Sequence, residues 1–237
     1  ARDLQELQAF AAEQGCSDLQ SWDVGYYSEK LRQQRYSISQ EQVRAWFPID
    51  KVLSGLFAIV EKLYGIQIKE LSGFDSWHPD VRLFEINEQG RHVGRFFFDL
   101  YARANKRGGA WMDGARDQRR NASGELISPV ANLVCNFTPA VNGQPALLTH
   151  DEVTTLFHEF GHGLHHLLTR VEHVGVSGIN GVAWDAVELP SQFMENWCWE
   201  PEGLALISAH YATGEPLPQE LLGKMLAARN FQSGLMM

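Results

Sequence analysis

The sequence has 237 residues, of which 44% are hydrophobic and 21% are charged, a composition typical of a folded globular protein and not of a disordered chain. Its formal net charge of −9 argues against nucleic acid and anionic membranes as partners, since both bind clustered Lys and Arg side chains. Its apolar runs fall short of the roughly 20 residues needed to span a bilayer.

The cysteines Cys16, Cys135 and Cys198 are odd in number and far apart. This set fits neither a disulfide framework nor a zinc site built from close cysteine pairs, so we expect reduced thiols, as in the cytoplasm. The charged N-terminal residues do not resemble a signal peptide, and we expect a cytoplasmic location. Because Ala1 is not an initiator methionine, we also expect the chain to be part of a longer protein.

The first third of the chain carries helical patterns. Apolar residues recur at helical spacing over residues 1–15, and a second helix is predicted over 23–35. A third is predicted between Pro48 and Gly65, where apolar residues form one continuous stripe. We interpret these stripes as packing faces and assign residues 1–75 to a helical segment.

The pattern changes to that of β-structure after residue 80. Residues 81–101 predict a β-hairpin, and residues 130–137 predict a further strand. The basic, glycine-rich segment 103–111 lacks the GlyLysSer/Thr ending of a phosphate-binding loop, so we interpret it as a solvated loop. The strand at 130–137 is either an ordinary sheet strand or an edge strand that pairs with an extended peptide.

Helices are again predicted in the last third. One runs from Thr149 to about residue 168, with Glu152 completing a capping box. A glycine-rich loop at 172–184 leads to a helix over 185–199, and the pattern of a last helix, which begins at Pro218, is still running where the chain stops at Met237.

The motif HisGluPheGlyHis at 158–162 is the most informative feature of the sequence. His158 and His162 lie one helical turn apart and can therefore bind the same ion. Glu159 is placed to exchange a proton with a water molecule at that ion, which is how a zinc metallopeptidase uses this pattern. Gly161 would leave room for a substrate beside the metal. The alternative is two surface histidines on an amphipathic helix.

A catalytic zinc site usually has three protein ligands and one open position. Glu172 follows His158 by 14 residues, about 21 Å along a helix, which is too far to share the ion. Glu188 follows the glycine-rich loop and is our predicted third ligand, with Glu195 as second choice. The alternative role for Glu188 is to complete a capping box with Asp185.

Metal-bound histidines usually donate their second N–H to a carboxylate or a carbonyl. We expect Asp185 and Asp151 to be such partners, although Asp151 is as well suited to cap its helix. His165 and His166 follow the motif closely, but neither pairs with an adjacent base. We interpret both as cleft or surface histidines.

The sequence resembles the thimet oligopeptidase family of zinc metallopeptidases. The similar segments, which extend over nearly the whole chain, are HisGluPheGlyHisGlyLeuHisHis at 158–166, TrpAspAlaValGluLeuProSerGlnPheMetGluAsnTrpCysTrpGlu at 184–200, LysArgGlyGlyAlaTrp at 106–111, AspLeuTyrAlaArg at 99–103 and TrpAspValGlyTyrTyrSerGluLysLeu at 22–31.

This resemblance implies a mainly α fold with a small β-sheet (α+β), in which a zincin-like core lines a deep channel for short peptides. It implies a cytoplasmic endopeptidase with one zinc ion per chain, bound by His158, His162 and Glu188, and with Glu159 as general base. Residues 76–237 would form the catalytic region, and we expect a monomer.

Family members continue beyond the end of this chain with a glycine-rich loop whose tyrosine and histidine groups are thought to stabilise the oxyanion. Loss of one such donor can cost about 10²–10³ in rate, so we expect weak or no peptidase activity from this chain alone. Two alternatives are a zinc-stabilised peptide-binding module without turnover and a structural helical domain that binds no metal.

Overall fold

The computed structural model describes residues 2–141 and 143–235, which form an α+β fold. The helices of this part of the chain are α1 (Arg2–Glu13), α2 (Val24–Tyr36), α3 (Gln40–Val43), α4 (Ile49–Tyr64), α5 (His150–Leu167), α6 (Leu189–Glu195), α7 (Pro201–Ile207) and α8 (Gln219–Ala228). The strands are β1 (Ile66–Leu71), β2 (Arg82–Glu88), β3 (Arg91–Tyr101), β4 (Trp111–Arg116), β5 (Arg119–Arg120), β6 (Leu126–Ile127) and β7 (Val130–Phe137).

The local sequence signals place most of these elements correctly. Helix α4 begins directly after Pro48 and ends at Gly65, whose φ of 66° is readily adopted only by glycine. The predicted hairpin is β2 and β3, joined by Gln89 and Gly90, which both have positive φ, as a tight hairpin turn requires. Helix α8 ends at Ala228, earlier than its apolar pattern predicts, and Met237 lies outside the described residues.

A five-stranded sheet in the order β1-β2-β3-β7-β4 forms the centre of the fold. Strand β7 pairs parallel with β3 on one side and antiparallel with β4 on the other. The strand at 130–137 is therefore internal, and its interpretation as an edge strand is wrong. The edge strands are β1 and β4, and β4 continues from the glycine-rich segment.

Helices α4 and α5 pack on this sheet through a cluster of aromatic rings. Phe57 of α4 and Phe160 of α5 contact Phe96 and Phe98 of β3, with ring centroids 5.3–6.3 Å apart. The same continuous core extends from Ile38 to residues of α8. The division of the chain at residue 75 stays a prediction, although residues on both sides of it share this core.

Buried charges fasten the glycine-rich segment to the sheet. The Lys106 ammonium, whose side chain is only 5% exposed, donates to the Asp99 carboxylate and to the Cys135 carbonyl at 2.9 and 2.6 Å. Burial raises the pKa of Asp99, but hydrogen bonds from Arg103, Trp77 and Lys106 outweigh burial and hold that pKa below its ordinary value. The expectation of a solvated loop is thus wrong at Lys106, because this side chain joins the ends of β3 and β7.

Helix α6 begins four residues later than predicted, so Asp185 lies in a turn before it. Pro190 explains the start, since proline has no N–H and is tolerated only in the first turn of a helix. A Cβ atom on Gly161 would lie 2.5 Å from the Pro190 carbonyl oxygen and 2.6 Å from the Ser191 Cα atom. Gly161 therefore allows α5 and α6 to pack closely, and the sequence-based idea that it makes room for substrate misses this contact.

We predict that Lys106→Met lowers the free energy of unfolding by about 1–3 kcal/mol, because the Cys135 carbonyl loses this donor and the buried Asp99 carboxylate keeps only Arg103 and Trp77. Urea unfolding measures this loss. The control is Lys224→Met, at a partly exposed lysine that pairs with Glu220 one turn away on α8, where we expect a loss below about 1 kcal/mol. Equal losses in both variants would contradict the structural role of Lys106.

We predict that Gly161→Ala destabilises the protein by about 1–3 kcal/mol, because the new methyl group overpacks the contact between α5 and α6. The matched control is Gly223→Ala within α8, where an added Cβ meets no atom within 4 Å. That variant should be stabilised by about 0.5–1 kcal/mol, the helix preference of alanine over glycine. Thermal unfolding of both variants measures the difference, and a Gly161→Ala protein as stable as the parent would refute the close contact.

Candidate metal centre and active site

The start of α5 is fixed by the predicted capping box. The Glu152 amide donates to the Thr149 hydroxyl at 3.2 Å, and the Glu152 carboxylate accepts from the Thr149 amide at 2.8 Å. Because the helix is regular from this point, His158 and His162 project from one face, and their ring centroids are 4.9 Å apart.

Glu188 approaches both histidines from the start of α6. Its Oε2 atom lies 3.2 Å from His158 Nε2 and 3.1 Å from His162 Nε2, and all three candidate ligand atoms lie within 4.8 Å of one another. Two ligands of a tetrahedral zinc ion at about 2.0–2.1 Å are themselves about 3.3 Å apart. The donor set and its spacing therefore fit one zinc ion.

The Glu188 carboxylate is held in place by its own helix. Ser191 is fully buried, and its hydroxyl donates to Glu188 Oε2 at 2.7 Å. This hydrogen bond lowers the pKa of Glu188; burial acts in the opposite direction, and His162 and His158 lower the pKa further. Glu188 makes no side-chain cap to α6, so the capping box with Asp185 is not formed.

Glu195 occupies the position expected of Asp185 or Asp151. Its Oε1 atom lies 2.6 Å from His158 Nδ1, so an Nδ1–H donated to this carboxylate leaves the Nε2 lone pair directed toward Glu188. Neither aspartate forms a hydrogen bond with a motif histidine in the described structure. Glu195 follows Glu188 by seven residues, about two turns, which places both side chains on the same side of the chain.

Glu159 lies on the flank of α5 that faces the sheet. Its side chain is almost fully buried, with 7% exposure. Burial raises its pKa most strongly and Glu188 raises it further, whereas His158 and the backbone amide of Met112 on β4 lower it. A carboxylate whose pKa is raised toward neutrality is a better general base than an exposed one.

The two histidines after the motif differ from each other. His165 is half-buried, and burial lowers its pKa. His166 is completely buried and lies 3.0 Å from the backbone carbonyl of Arg116 at the end of β4. The interpretation as a cleft or surface histidine is therefore wrong for His166, because helical spacing alone does not reveal that β4 covers this side of α5.

Comparison with known proteins gives one consistent result. The model of peptidase family M3 matches residues 1–237. The chain is 64% identical over 236 residues to oligopeptidase A of Escherichia coli (strain K12) and 53% identical to oligopeptidase A of Haemophilus influenzae. It is 44% identical over 242 residues to the organellar oligopeptidase A of Arabidopsis thaliana. These matches include bacterial oligopeptidase A, which the sequence motifs also resemble.

These alignments cover almost all of this chain but only part of each relative. They include 99% of the chain and 35% of the E. coli protein, and 98% of the chain and 31% of the Arabidopsis protein. The chain thus spans about a third of the length of these relatives. Its matching region nevertheless extends from the first helix through the histidine motif to α8, and the chain belongs to peptidase family M3, as its resemblance to the thimet oligopeptidases predicts.

Proposed function

We propose that the protein is a zinc-dependent endopeptidase that hydrolyses short peptides, with His158, His162 and Glu188 as the zinc ligands and Glu159 as the general base. The observation that carries this proposal is the convergence of two imidazole nitrogens and one carboxylate oxygen within 4.8 Å of one another. Peptidase family M3 and the oligopeptidase relatives supply the substrate class.

Each side chain has a distinct task in this proposal. Zinc, when bound, polarises the peptide carbonyl and acidifies a water molecule. Glu159 takes a proton from the attacking water and passes it to the leaving amine nitrogen. Glu195 fixes the tautomer and the ring orientation of His158. Glu159 is not among the proposed ligands because its carboxylate lies beside the Met112 amide of β4 and outside the group of three candidate ligand atoms.

The free edge of β4 is the proposed track for the peptide backbone. Strand β4 is the last strand of the sheet, and its residues 113–116 are exposed. An extended peptide can add to such an edge through main-chain hydrogen bonds, which recognise any sequence. Met112 of β4 lies beside Glu159, so a peptide on this edge would pass close to the general base.

Further parts of the proposal concern the whole protein. We propose a zincin-like core that lines a deep channel, one zinc ion per chain, a monomer and a cytoplasmic location. Short peptides are the proposed partners, and nucleic acid and membranes are not. Because the chain spans about a third of its relatives, we also propose weak or no activity for this segment alone.

Among the described residues, no helix is both long and apolar enough to cross a membrane.

We predict that Glu159→Gln lowers turnover by at least about 10²-fold, the contribution of a positioned general base, while zinc stays near one ion per chain. Cleavage of a quenched fluorescent peptide by the full polypeptide that carries this sequence, together with metal analysis, measures both quantities. The control is Glu172→Gln, at a carboxylate that pairs with Arg120 at 2.6 Å and should leave turnover unchanged. Normal turnover in Glu159→Gln would refute the mechanism. A purified protein that contains no zinc by metal analysis would refute the metal site.

We predict that Glu195→Gln weakens zinc binding by about 10- to 100-fold, the usual effect of losing the carboxylate partner of a metal-bound histidine. Competition with a zinc chelator gives the affinity. Asp185→Asn is the matched control, since Asp185 lies in the turn before α6 and should leave the affinity unchanged. The reverse pattern, with Asp185→Asn weaker and Glu195→Gln normal, would overturn the assignment of Glu195.

A further inference from the structure

Helix α5 carries a second functional face besides the one with the histidine pair. Glu159 and His166 are seven residues apart, about two turns or 10.5 Å, and so lie on the same face. Both contact β4: Glu159 lies beside the Met112 amide, and His166 reaches the Arg116 carbonyl. Met112 and Arg116 are about 13 Å apart along an extended strand. The two α5 side chains therefore hold β4 near its two ends.

The contact with β4 fixes the tautomer of His166 and the distance between its ring and the strand. Because a carbonyl oxygen can only accept, His166 Nε2 carries the proton and donates it to Arg116 O at 3.0 Å. A Cβ atom on Gly114 of β4 would lie 2.9 Å from His166 Cε1. The strand thus rests directly on the imidazole ring, with no side chain between them.

The other side of the His166 ring faces the loop that leads to Glu188. A Cβ atom on Gly178 would lie 2.6 Å from His166 Nδ1, and its φ of +62° also favours glycine. The loop is fastened nearby, since Asn180 donates to Asp117 at 2.7 Å. His166 is therefore enclosed between the end of β4 and the loop that carries the proposed third ligand.

We propose that His166 is a positioning residue that sets the distance between the edge of β4 and the metal centre, and so places the peptide backbone over Glu159. This inference rests on the proposed peptide track along β4. His166 does not contact the reacting groups. It acts through its hydrogen bond to the backbone carbonyl of Arg116 and through its close contact with Gly114. The strand therefore requires a hydrogen-bond donor at the Nε2 position.

Two substitutions separate this role from mere filling of the core. Glutamine can place its amide nitrogen near the Nε2 position of histidine, whereas asparagine is too short to reach Arg116. Binding of a labelled peptide, measured by fluorescence anisotropy in the non-cleaving Glu159→Gln background of the full polypeptide, is the readout. We expect His166→Asn to raise the Kd about tenfold, as a modest displacement of a binding group does, and His166→Gln to restore it largely.

The matched control is His150, a second buried histidine on α5 whose Nε2 donates to a backbone carbonyl, that of Cys198, at 2.8 Å. His150→Asn loses a similar hydrogen bond away from β4, so its melting temperature should fall comparably while its Kd stays the same. Gly114→Ala is the second variant, in case His166→Asn does not fold. It pushes β4 off the ring and should raise the Kd.

Each outcome decides the inference. Equal weakening by His166→Asn and His150→Asn, an unchanged Kd in His166→Asn or Gly114→Ala, or no recovery in His166→Gln would overturn it, as would an absence of peptide binding in the parent. A different outcome is that the Kd values follow the expected pattern but the protein with Glu159 intact cleaves no peptide. That outcome would support the role of His166 and refute the proposed peptidase activity.

Discussion

The close packing of α5 against α6 is the contact on which the rest of the site depends. The two histidines come from a single regular helix, so their spacing is set locally. The carboxylate of Glu188 comes from another element and reaches them only because the backbone at Pro190 and Ser191 lies directly against Gly161. Ser191 then orients the carboxylate. A glycine and a buried serine thus bring two separate elements together into one cluster of candidate ligand atoms.

The side chains of α5 that belong to the candidate site point in two directions. His158 and His162 face α6 and the carboxylates of Glu188 and Glu195, whereas Glu159 and His166 face the sheet. Burial beside β4 raises the pKa of Glu159, and its carboxylate lies outside the cluster of candidate ligand atoms. Under the proposed function, one turn of helix would provide the metal-binding nitrogens toward α6 and the general base toward the sheet.

The sequence predicts the parts of this arrangement that depend on neighbours along the chain. The capping box at Thr149, the spacing of His158 and His162, and the hairpin turn at Gln89 and Gly90 are local signals, and each element lies where it is predicted. Sheet order is not local. Strand β7 becomes internal through its parallel pairing with β3 and its antiparallel pairing with β4, and no periodicity within residues 130–137 indicates this.

The same limit explains the errors at individual side chains. Asp185 would share a helical face with Glu188 only if both lay on one helix, and Pro190 delays the start of that helix. Glu195, two turns beyond Glu188, then becomes the partner of His158. Lys106 looks exposed in the sequence because charged side chains usually are, and the spacing of His166 along α5 gives no sign that β4 covers it. Their burial follows from backbone carbonyls that distant strands bring to them.

The negative charges around His158 and His162 are a second argument for the proposed metal. Glu159, Glu188 and Glu195 lie around one pair of imidazoles, and the Glu188 charge already raises the pKa of Glu159. Glu159 is buried, whereas Glu188 and Glu195 are at least partly exposed, and like charges close together are unfavourable unless a cation compensates them. Burial lowers the pKa of His162, which disfavours the charged imidazole that could offset this repulsion. A divalent cation bound by the two Nε2 atoms and Glu188 would offset the repulsion and would keep Glu159 ionised, which is the form a general base requires.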